Sequence, residues 1–173
     1  MERVKAQRHI AIRPMQHSRR QDVQPIGREE AISVVKGRFQ RFRLATIVGS
    51  GGIGKTTVGL SVAERLSSSY EHGLCFLDLA PISNPQALPS MLASQLRLND
   101  TSGDPTMHLG AHLRQKRMLL VLDSCELVLD AAARLAETLL REAPEIGILA
   151  TSREALLVEG ESVYRLPSAS TST

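Results

Sequence analysis

The stretch from Gly49 to Thr57 has residue types and a spacing that predict chemistry. Its sequence, GSGGIGKTT, fits the pattern G-x-x-x-x-G-K-[ST]. Glycines let backbone N–H groups turn inward around an anion, Lys55 adds a compact positive charge, and the Thr56 hydroxyl is a hard ligand for Mg²⁺. We therefore expect this loop to bind a polyphosphate. The predicted phosphate-binding residues are Gly49, Ser50, Gly51, Gly52, Ile53, Gly54, Lys55, Thr56 and Thr57.

A second candidate site ends the apolar run 117–123, RMLLVLD. A buried strand there would deliver Asp123 to the carboxyl edge of an open α/β sheet, where ligands bind. We expect Asp123 to hold Mg²⁺ together with Thr56, through water. Glu126 is a candidate to polarise an attacking water. The alternative is that Glu126 only supplies negative charge to the start of the following helix.

Arg153 follows a further apolar run, residues 146–151, and should emerge at the same edge of the sheet. A cation there can stabilise charge on the γ-phosphate of a nucleotide. The alternative is a structural ion pair with Glu154 or Glu159.

Strands and helices must position these candidate residues. Residues 44–48 predict a buried strand before the glycine loop, and the spacing of Gly59, Val62, Ala63 and Leu66 predicts a helix after it. The other predicted strands are 73–79, 117–123, 146–151 and 162–166, and the other predicted helices are 29–39, 86–98, 107–115 and 126–141. Strands that alternate with helices indicate an α/β protein with a parallel sheet.

Composition excludes several classes of function. The chain has three Phe, two Tyr and no Trp, which argues against binding of single-stranded nucleic acid by stacking. We expect no membrane contact, because no run approaches the ~18 apolar residues of a membrane span, and no secretory signal is evident. Cys75 and Cys125 lie in or beside apolar runs, as expected of buried thiols, and we expect a cytoplasmic location.

Positive charge is concentrated at the start of the chain. Residues 1–22 carry six basic and two acidic side chains, whereas the remainder carries 15 basic and 16 acidic ones. The basic character therefore belongs to a tail, residues 1–23, which we expect to be solvated and flexible. The alternative is a weak contact with nucleic acid.

Four ordered motifs resemble a known family. They are PIGREE at 25–30, VGSGGIGKTT at 48–57, LLVLDSCE at 119–126 and ILATSREAL at 148–156. Together they resemble the ATPase core of bacterial STAND-type proteins, the LuxR-type and winged-helix transcriptional regulators. These proteins are similar to the NB-ARC and AAA+ branches of P-loop NTPases. The resemblance covers about residues 24–167.

The resemblance implies a three-layer α/β fold with about five parallel strands in the order 5-1-4-3-2. It implies that the glycine loop is a Walker A motif and that Asp123 ends a Walker B strand. Ile26, Gly27 and Arg28 would pack near adenine, and Arg153 would sense the γ-phosphate. It also implies an ATP/ADP switch that needs Mg²⁺, closed with ADP and open or oligomeric with ATP.

Two departures from the family pattern matter. Ser124 stands where many relatives carry a second acidic residue, so we expect only weak hydrolysis. The chain also stops just after its fifth predicted strand. We therefore expect the helical lid, the winged-helix segment and the sensor of full-length relatives to be absent, as well as a DNA-binding domain. Contact with DNA would then require a domain outside this chain.

The expected function is a Mg²⁺-dependent nucleotide switch, carried by residues 24–167 between a basic tail (1–23) and a disordered tail (168–173). One alternative is a small-molecule kinase, which shares the phosphate-binding loop but needs a lid and an acceptor pocket. The other is a non-enzymatic fragment that binds DNA or protein through the basic tail.

Overall fold

Five parallel strands form one sheet in the order β2-β3-β4-β1-β5 in a computed structural model that describes residues 27–98 and 102–168. The strands are β1 (Leu44–Val48), β2 (Leu74–Asp78), β3 (Leu119–Asp123), β4 (Gly147–Ser152) and β5 (Glu161–Arg165). Read from the opposite edge strand, β5, this order is the predicted 5-1-4-3-2, so the prediction is confirmed. The predicted basic tail, Ile26 and residues 169–173 lie outside the described residues.

The strands end level with one another, and this brings distant residues to one edge. Val48 at the end of β1 lies opposite Ser152 of β4 and Arg165 of β5. Asp78 at the end of β2 lies opposite Asp123 at the end of β3. The carboxyl ends of all five strands therefore share one edge, as the parallel arrangement requires.

Helices cover both faces of the sheet, so the predicted three-layer arrangement is confirmed. Helices α1 (Arg28–Arg38) and α2 (Lys55–Leu66) pack on one face, and α3 (Leu88–Gln95), α4 (Pro105–Leu113) and α5 (Leu129–Glu142) on the other. Successive strand residues point to opposite faces. In β3, Leu120 and Leu122 join the core under α3, α4 and α5, whereas Leu119 and Val121 join the core under α1 and α2.

One predicted helix begins later than expected. The run 126–141 predicts a helix from Glu126, but α5 begins at Leu129 and a short 3₁₀ turn, Cys125–Leu127, precedes it. The cause is Ser124, which has φ 62° and ψ 55°. This left-handed residue turns the chain sharply after β3, so the helix cannot follow at once.

Both cysteines are buried free thiols, as expected. Burial raises the pKa of Cys75 and of Cys125 to about 12. In the described parts of the chain no helix has the length and apolarity that a membrane span requires.

Candidate functional site

The glycine loop connects the end of β1 to the start of α2. Its first N–H, at Gly49, donates to the Ser152 carbonyl of β4 over 3.2 Å, so the entry of the loop is held by the sheet. Gly52 and Gly54 have φ values of 78° and 94°, in the left-handed region that favours glycine. Gly54 immediately precedes the first residue of α2. The loop therefore turns in front of a helix N-terminus, which attracts anions.

Lys55 is buried, and its ammonium group is held by the loop itself. The Nζ atom donates to the carbonyl oxygens of Gly49 and Ser50, over 2.9 and 2.8 Å. Only 8% of the residue is accessible to solvent. The charge thus lies in the concave side of the loop, within the same turn as the backbone groups that would meet a phosphate.

Thr56 and Asp123 come together although they are 67 residues apart in sequence. The Thr56 hydroxyl lies 2.9 Å from Oδ1 and 3.0 Å from Oδ2 of Asp123. Asp123 is 5% exposed. A hydroxyl and a carboxylate at this separation are hard oxygen donors that suit Mg²⁺, whose other ligands in nucleotide sites are phosphates and water. The donor set at this position therefore fits a magnesium ion.

Two arginines flank the loop. A Cβ at Gly51 would lie 2.9 Å from Nη2 of Arg153, so this guanidinium lies directly against the loop. Arg153 forms no ion pair with Glu154 or Glu159, and the structural alternative from the sequence finds no support. The Arg28 guanidinium lies against Gly54, where a Cβ would overlap it.

The predicted adenine-binding segment lies at the start of α1. Gly27 has φ 107° and immediately precedes the helix, while Ile26 is outside the described residues. The guanidinium of Arg28 reaches the end of the glycine loop beside the start of α2. The proximity of this segment to adenine stays a prediction.

Glu126 lies in the 3₁₀ turn that follows Ser124. Its Oε2 atom is buried and has no hydrogen-bond partner among the described residues. The acidic residue in the first turn of α5 is Asp130, so Glu126 is not positioned as the charge of that turn. A buried carboxylate oxygen without a partner is unusual and suits a group that binds water or a cation.

The structure adds two residues that the sequence interpretation did not select. Thr151, at the end of β4, donates a hydrogen bond of 2.5 Å to Oδ1 of Asp123. Asp78 ends β2 directly opposite Asp123, and its Oδ1 accepts from the N–H of Ala80 over 3.0 Å. A signal for Asp78 was present, because it ends an apolar run as Asp123 does. Thr57 was among the predicted phosphate-binding residues. Unlike Thr56, it is exposed and makes no hydrogen bond to Asp123.

No family model matches the chain, but comparison with known proteins finds several similar sequences. One of them is a Mycobacterium tuberculosis protein that is named as a proposed HTH-type transcriptional regulator. It is 44% identical over 129 residues, which is 74% of this chain and 14% of the relative. The chain thus spans about one seventh of the length of this relative.

Solved structures show the fold. Cdc6p from Pyrobaculum aerophilum superposes with a TM-score of 0.58 at 17% identity, over 86% of this chain and 48% of that one. A Signal Transduction ATPase with Numerous Domains (STAND) with a tetratricopeptide repeat sensor, from Pyrococcus horikoshii, gives a TM-score of 0.56 at 16% identity. That match covers 82% of this chain and 23% of that one. The chain has the same α/β fold as these two solved structures.

Proposed function

We propose that this chain binds ATP and ADP with Mg²⁺ and is the nucleotide-binding core of a signal-transducing transcriptional regulator, with weak ATP hydrolysis. The observation that carries the proposal is the convergence of Lys55, Thr56 and Asp123 at the mouth of the glycine loop. These residues come from two elements of the fold, and each supplies the group that a Mg²⁺–polyphosphate needs.

The phosphates are bound by the loop and by Lys55. The backbone N–H groups of the loop and the first turn of α2 donate to phosphate oxygens, and the helix dipole favours the negative charge. Lys55 moves its ammonium from the carbonyls of Gly49 and Ser50 to the terminal phosphates, with which it makes stronger, charge-assisted contacts.

Thr56 and Asp123 hold the metal ion. Bound Mg²⁺ neutralises charge on the phosphates and orients them. In the structure, the Thr56 hydroxyl donates to the Asp123 carboxylate. The oxygen atoms of both groups are therefore already close together before a ligand binds. This preorganisation lowers the cost of assembling the site.

Hydrolysis depends on Glu126, and sensing of the γ-phosphate depends on Arg153. The free Oε2 of Glu126 orients water and accepts its proton. The reaction is weak, because Ser124 replaces the acidic residue that would follow Asp123 more directly. Arg153 lies against Gly51 and has no ion pair within the part of the chain that the structure describes, so its charge is available to an added phosphate.

The name of the mycobacterial relative supports the proposal that this chain is part of a transcriptional regulator. The STAND protein from Pyrococcus horikoshii, which has the same fold, is named as a signal transduction ATPase. In this proposal, ATP and ADP stabilise different states of the core, and the remaining parts of a longer protein respond to the difference. An ATP/ADP switch requires different affinities in the two states.

The first test compares Lys55→Ala with Lys36→Ala by calorimetric titration with ATP and ADP, with and without Mg²⁺. Loss of about two charge-assisted contacts of ~1.5 kcal/mol each lowers ATP affinity about 100-fold. Lys36 is an exposed lysine of α1 and serves as the control, with affinity equal to the parent chain. Equal affinity in Lys55→Ala and Lys36→Ala would overturn the proposal.

A phosphate-release assay with the parent chain and Glu126→Gln tests hydrolysis. We expect slow turnover that the substitution lowers at least about tenfold, as for loss of a general base. Turnover that is unchanged in Glu126→Gln would exclude Glu126 as the base. Transfer of the γ-phosphate to a metabolite in an acceptor screen would instead favour a kinase.

A further inference from the structure

The end of β4 contains a hydroxyl that connects two parts of the candidate site. We propose that Thr151 is a positioning residue: its hydroxyl fixes both the Asp123 carboxylate and the turn at Ser124 that carries Glu126. This inference rests on the proposed function for the roles of Asp123 and Glu126. The hydrogen bonds themselves are features of the fold.

The direction of both hydrogen bonds follows from their partners. The Ser124 N–H donates to Oγ1 of Thr151 over 2.9 Å, and Oγ1 lies 2.5 Å from Oδ1 of Asp123. An ionised carboxylate only accepts, so the Thr151 proton must point to Asp123. The Thr151 hydroxyl thus accepts from the backbone N–H of Ser124 and donates to the side chain of the preceding residue, Asp123.

The turn at Ser124 needs this support. Its left-handed backbone, with φ 62°, is unfavourable for a residue other than glycine, and such conformations persist where the surroundings hold them. The bond to Thr151 satisfies the Ser124 N–H inside the protein. Because Glu126 follows two residues later in the 3₁₀ turn Cys125–Leu127, the direction of its side chain depends on the same turn.

Packing also restricts Thr151. The residue is 1% exposed, and its Cγ2 methyl would lie 3.2 Å from a Cβ at Gly59 of α2. The absence of a side chain at Gly59 therefore lets α2 approach β4 closely. Thr151 consequently contacts both the strand that carries Asp123 and the helix that carries Thr56.

The test uses two substitutions that separate the hydroxyl from the methyl group. Thr151→Val keeps the branched shape and removes the hydroxyl, whereas Thr151→Ser keeps the hydroxyl and removes the methyl. The Mg²⁺ concentration that gives half of the maximal increase in ATP affinity should rise about tenfold in Thr151→Val, from loss of one charge-assisted bond. Thr151→Ser should behave as the parent, and affinity without Mg²⁺ should be equal in all three proteins.

A second measurement needs no nucleotide. Cys125 follows Ser124 and is fully buried, so its rate of alkylation reports on the turn, with buried Cys75 as an internal control. We expect Thr151→Val to increase labelling of Cys125 several-fold without a change at Cys75. Ser124→Gly, which accepts the left-handed conformation, should restore slow labelling in the double variant but not its Mg²⁺ response.

The outcomes separate the positioning role from the proposed function. Equal Mg²⁺ response and equal Cys125 labelling in Thr151→Val and Thr151→Ser would overturn the inference. Absence of ATP binding by the parent chain would overturn the proposed function, and labelling of Cys125 would still decide whether Thr151 holds the turn. If Thr151→Val labels both cysteines equally, the residue has a general structural role and the inference is wrong.

Discussion

The two edges of the sheet both carry basic side chains, but these side chains have different surroundings. At the carboxyl edge, Lys55, Arg28 and Arg153 lie around the glycine loop and the first turn of α2. Their charges are close to backbone N–H groups and to the positive end of a helix. Positive groups gathered in this way repel one another, and an anion among them relieves the repulsion.

At the amino edge, the main basic side chain is already satisfied by the protein. The Arg43 guanidinium donates to the carbonyls of Leu140, over 2.9 Å, and Ile146, over 3.2 Å, and also to that of Ala143. Helix α5 ends here, and its last carbonyls lack partners within the helix. Burial lowers the pKa of Arg43, and the electrostatic effect of the nearby Tyr70 hydroxyl opposes this shift.

A cavity of about 410 Å³ at the amino edge also has basic side chains close to helix C-termini. Its lining includes Lys36, Arg43, Arg117 and the Tyr70 ring. Burial raises the pKa of the Tyr70 hydroxyl. The ends of α1 and α2 also border this cavity, so basic side chains there face the negative ends of helices. At the amino edge the basic side chains therefore lie near the carbonyl ends of helices, whereas at the carboxyl edge they lie near a helix N-terminus, where an anion is favoured.

The largest expected effect separates two glycines with similar backbone strain. Gly54→Ala places a side chain at φ 94° and against the Arg28 guanidinium, and we expect ATP affinity to fall about 100-fold, because the loop loses its shape. Gly73 at the amino edge has φ 89° and open space around it, so Gly73→Ala provides the control. Calorimetric titration should show parent affinity for Gly73→Ala. Equal losses in both variants would mean that strain alone, wherever it lies, disturbs binding.

Removal of Arg43 should affect stability and leave binding intact. Arg43→Ala leaves the carbonyls at the end of α5 without their donor, and we expect the free energy of unfolding to fall by about 2 kcal/mol, discounted for partial exposure. Urea denaturation measures this change, and titration of the folded protein should give an unchanged ATP affinity. Arg41, an exposed neighbour, is the matched control. Weaker ATP binding by folded Arg43→Ala would contradict the division between the edges.

Arg153→Ala should produce the opposite result. We expect the preference for ATP over ADP to fall about tenfold, the loss of one charge-assisted contact to the γ-phosphate. The urea midpoint should stay within error of the parent, because Arg153 is exposed and forms no ion pair with an acidic side chain in the described ranges 27–98 and 102–168. Arg134→Ala on the exposed side of α5 is the control. A large loss of stability without a change in ATP preference would assign Arg153 a structural role.

The smallest effect concerns the two thiols. Each has a pKa of about 12 in the folded state against 9.0 for the reference thiol, so burial favours the neutral form. Their contribution to stability is complete below pH 9 and is lost as the pH rises from 9 towards 12. At pH 10 each thiol should lower the free energy of unfolding by about 1 kcal/mol relative to pH 8.

Urea midpoints at pH 8 and pH 10 for the parent and Cys75→Ala measure the loss of stability due to this thiol, because the other titrating groups are common to both proteins. The variant should lose less stability between the two pH values. An equal loss would show that Cys75 ionises normally. Cys125 lies beside the candidate site, and in this respect it should resemble Cys75 inside the sheet.

The sequence could predict the strands for a definite physical reason, whereas their order was implied by the family resemblance alone. Apolar runs such as 44–48 and 119–122 are long enough to mark buried strands, and parallel strands bring their ends to one edge. Local spacing within the glycine loop then places Lys55 and Thr56, and the residue that ends β3 places Asp123. These features depend on short segments or on the general geometry of α/β sheets.

Features that depend on tertiary register could not be predicted in this way. The bond from Thr151 to Asp123 requires that β3 and β4 be aligned to within one residue. Ser124 gives no sequence signal for a left-handed backbone, so the start of α5 was placed too early. The role of Arg43 requires knowledge of where α5 ends, which lies about 100 residues later in the chain.

The hydrogen bonds at the end of β1 determine where the glycine loop can move. Gly49 donates to Ser152 on one side, and on the other Val48 accepts from Leu166 over 2.9 Å. Amide hydrogen exchange should therefore be slow at Gly49 and fast at Gly51 and Gly52, which lie beyond the last strand contact. Motion of the loop is then limited to the few peptide units after Gly49, and a ligand needs to order only these units.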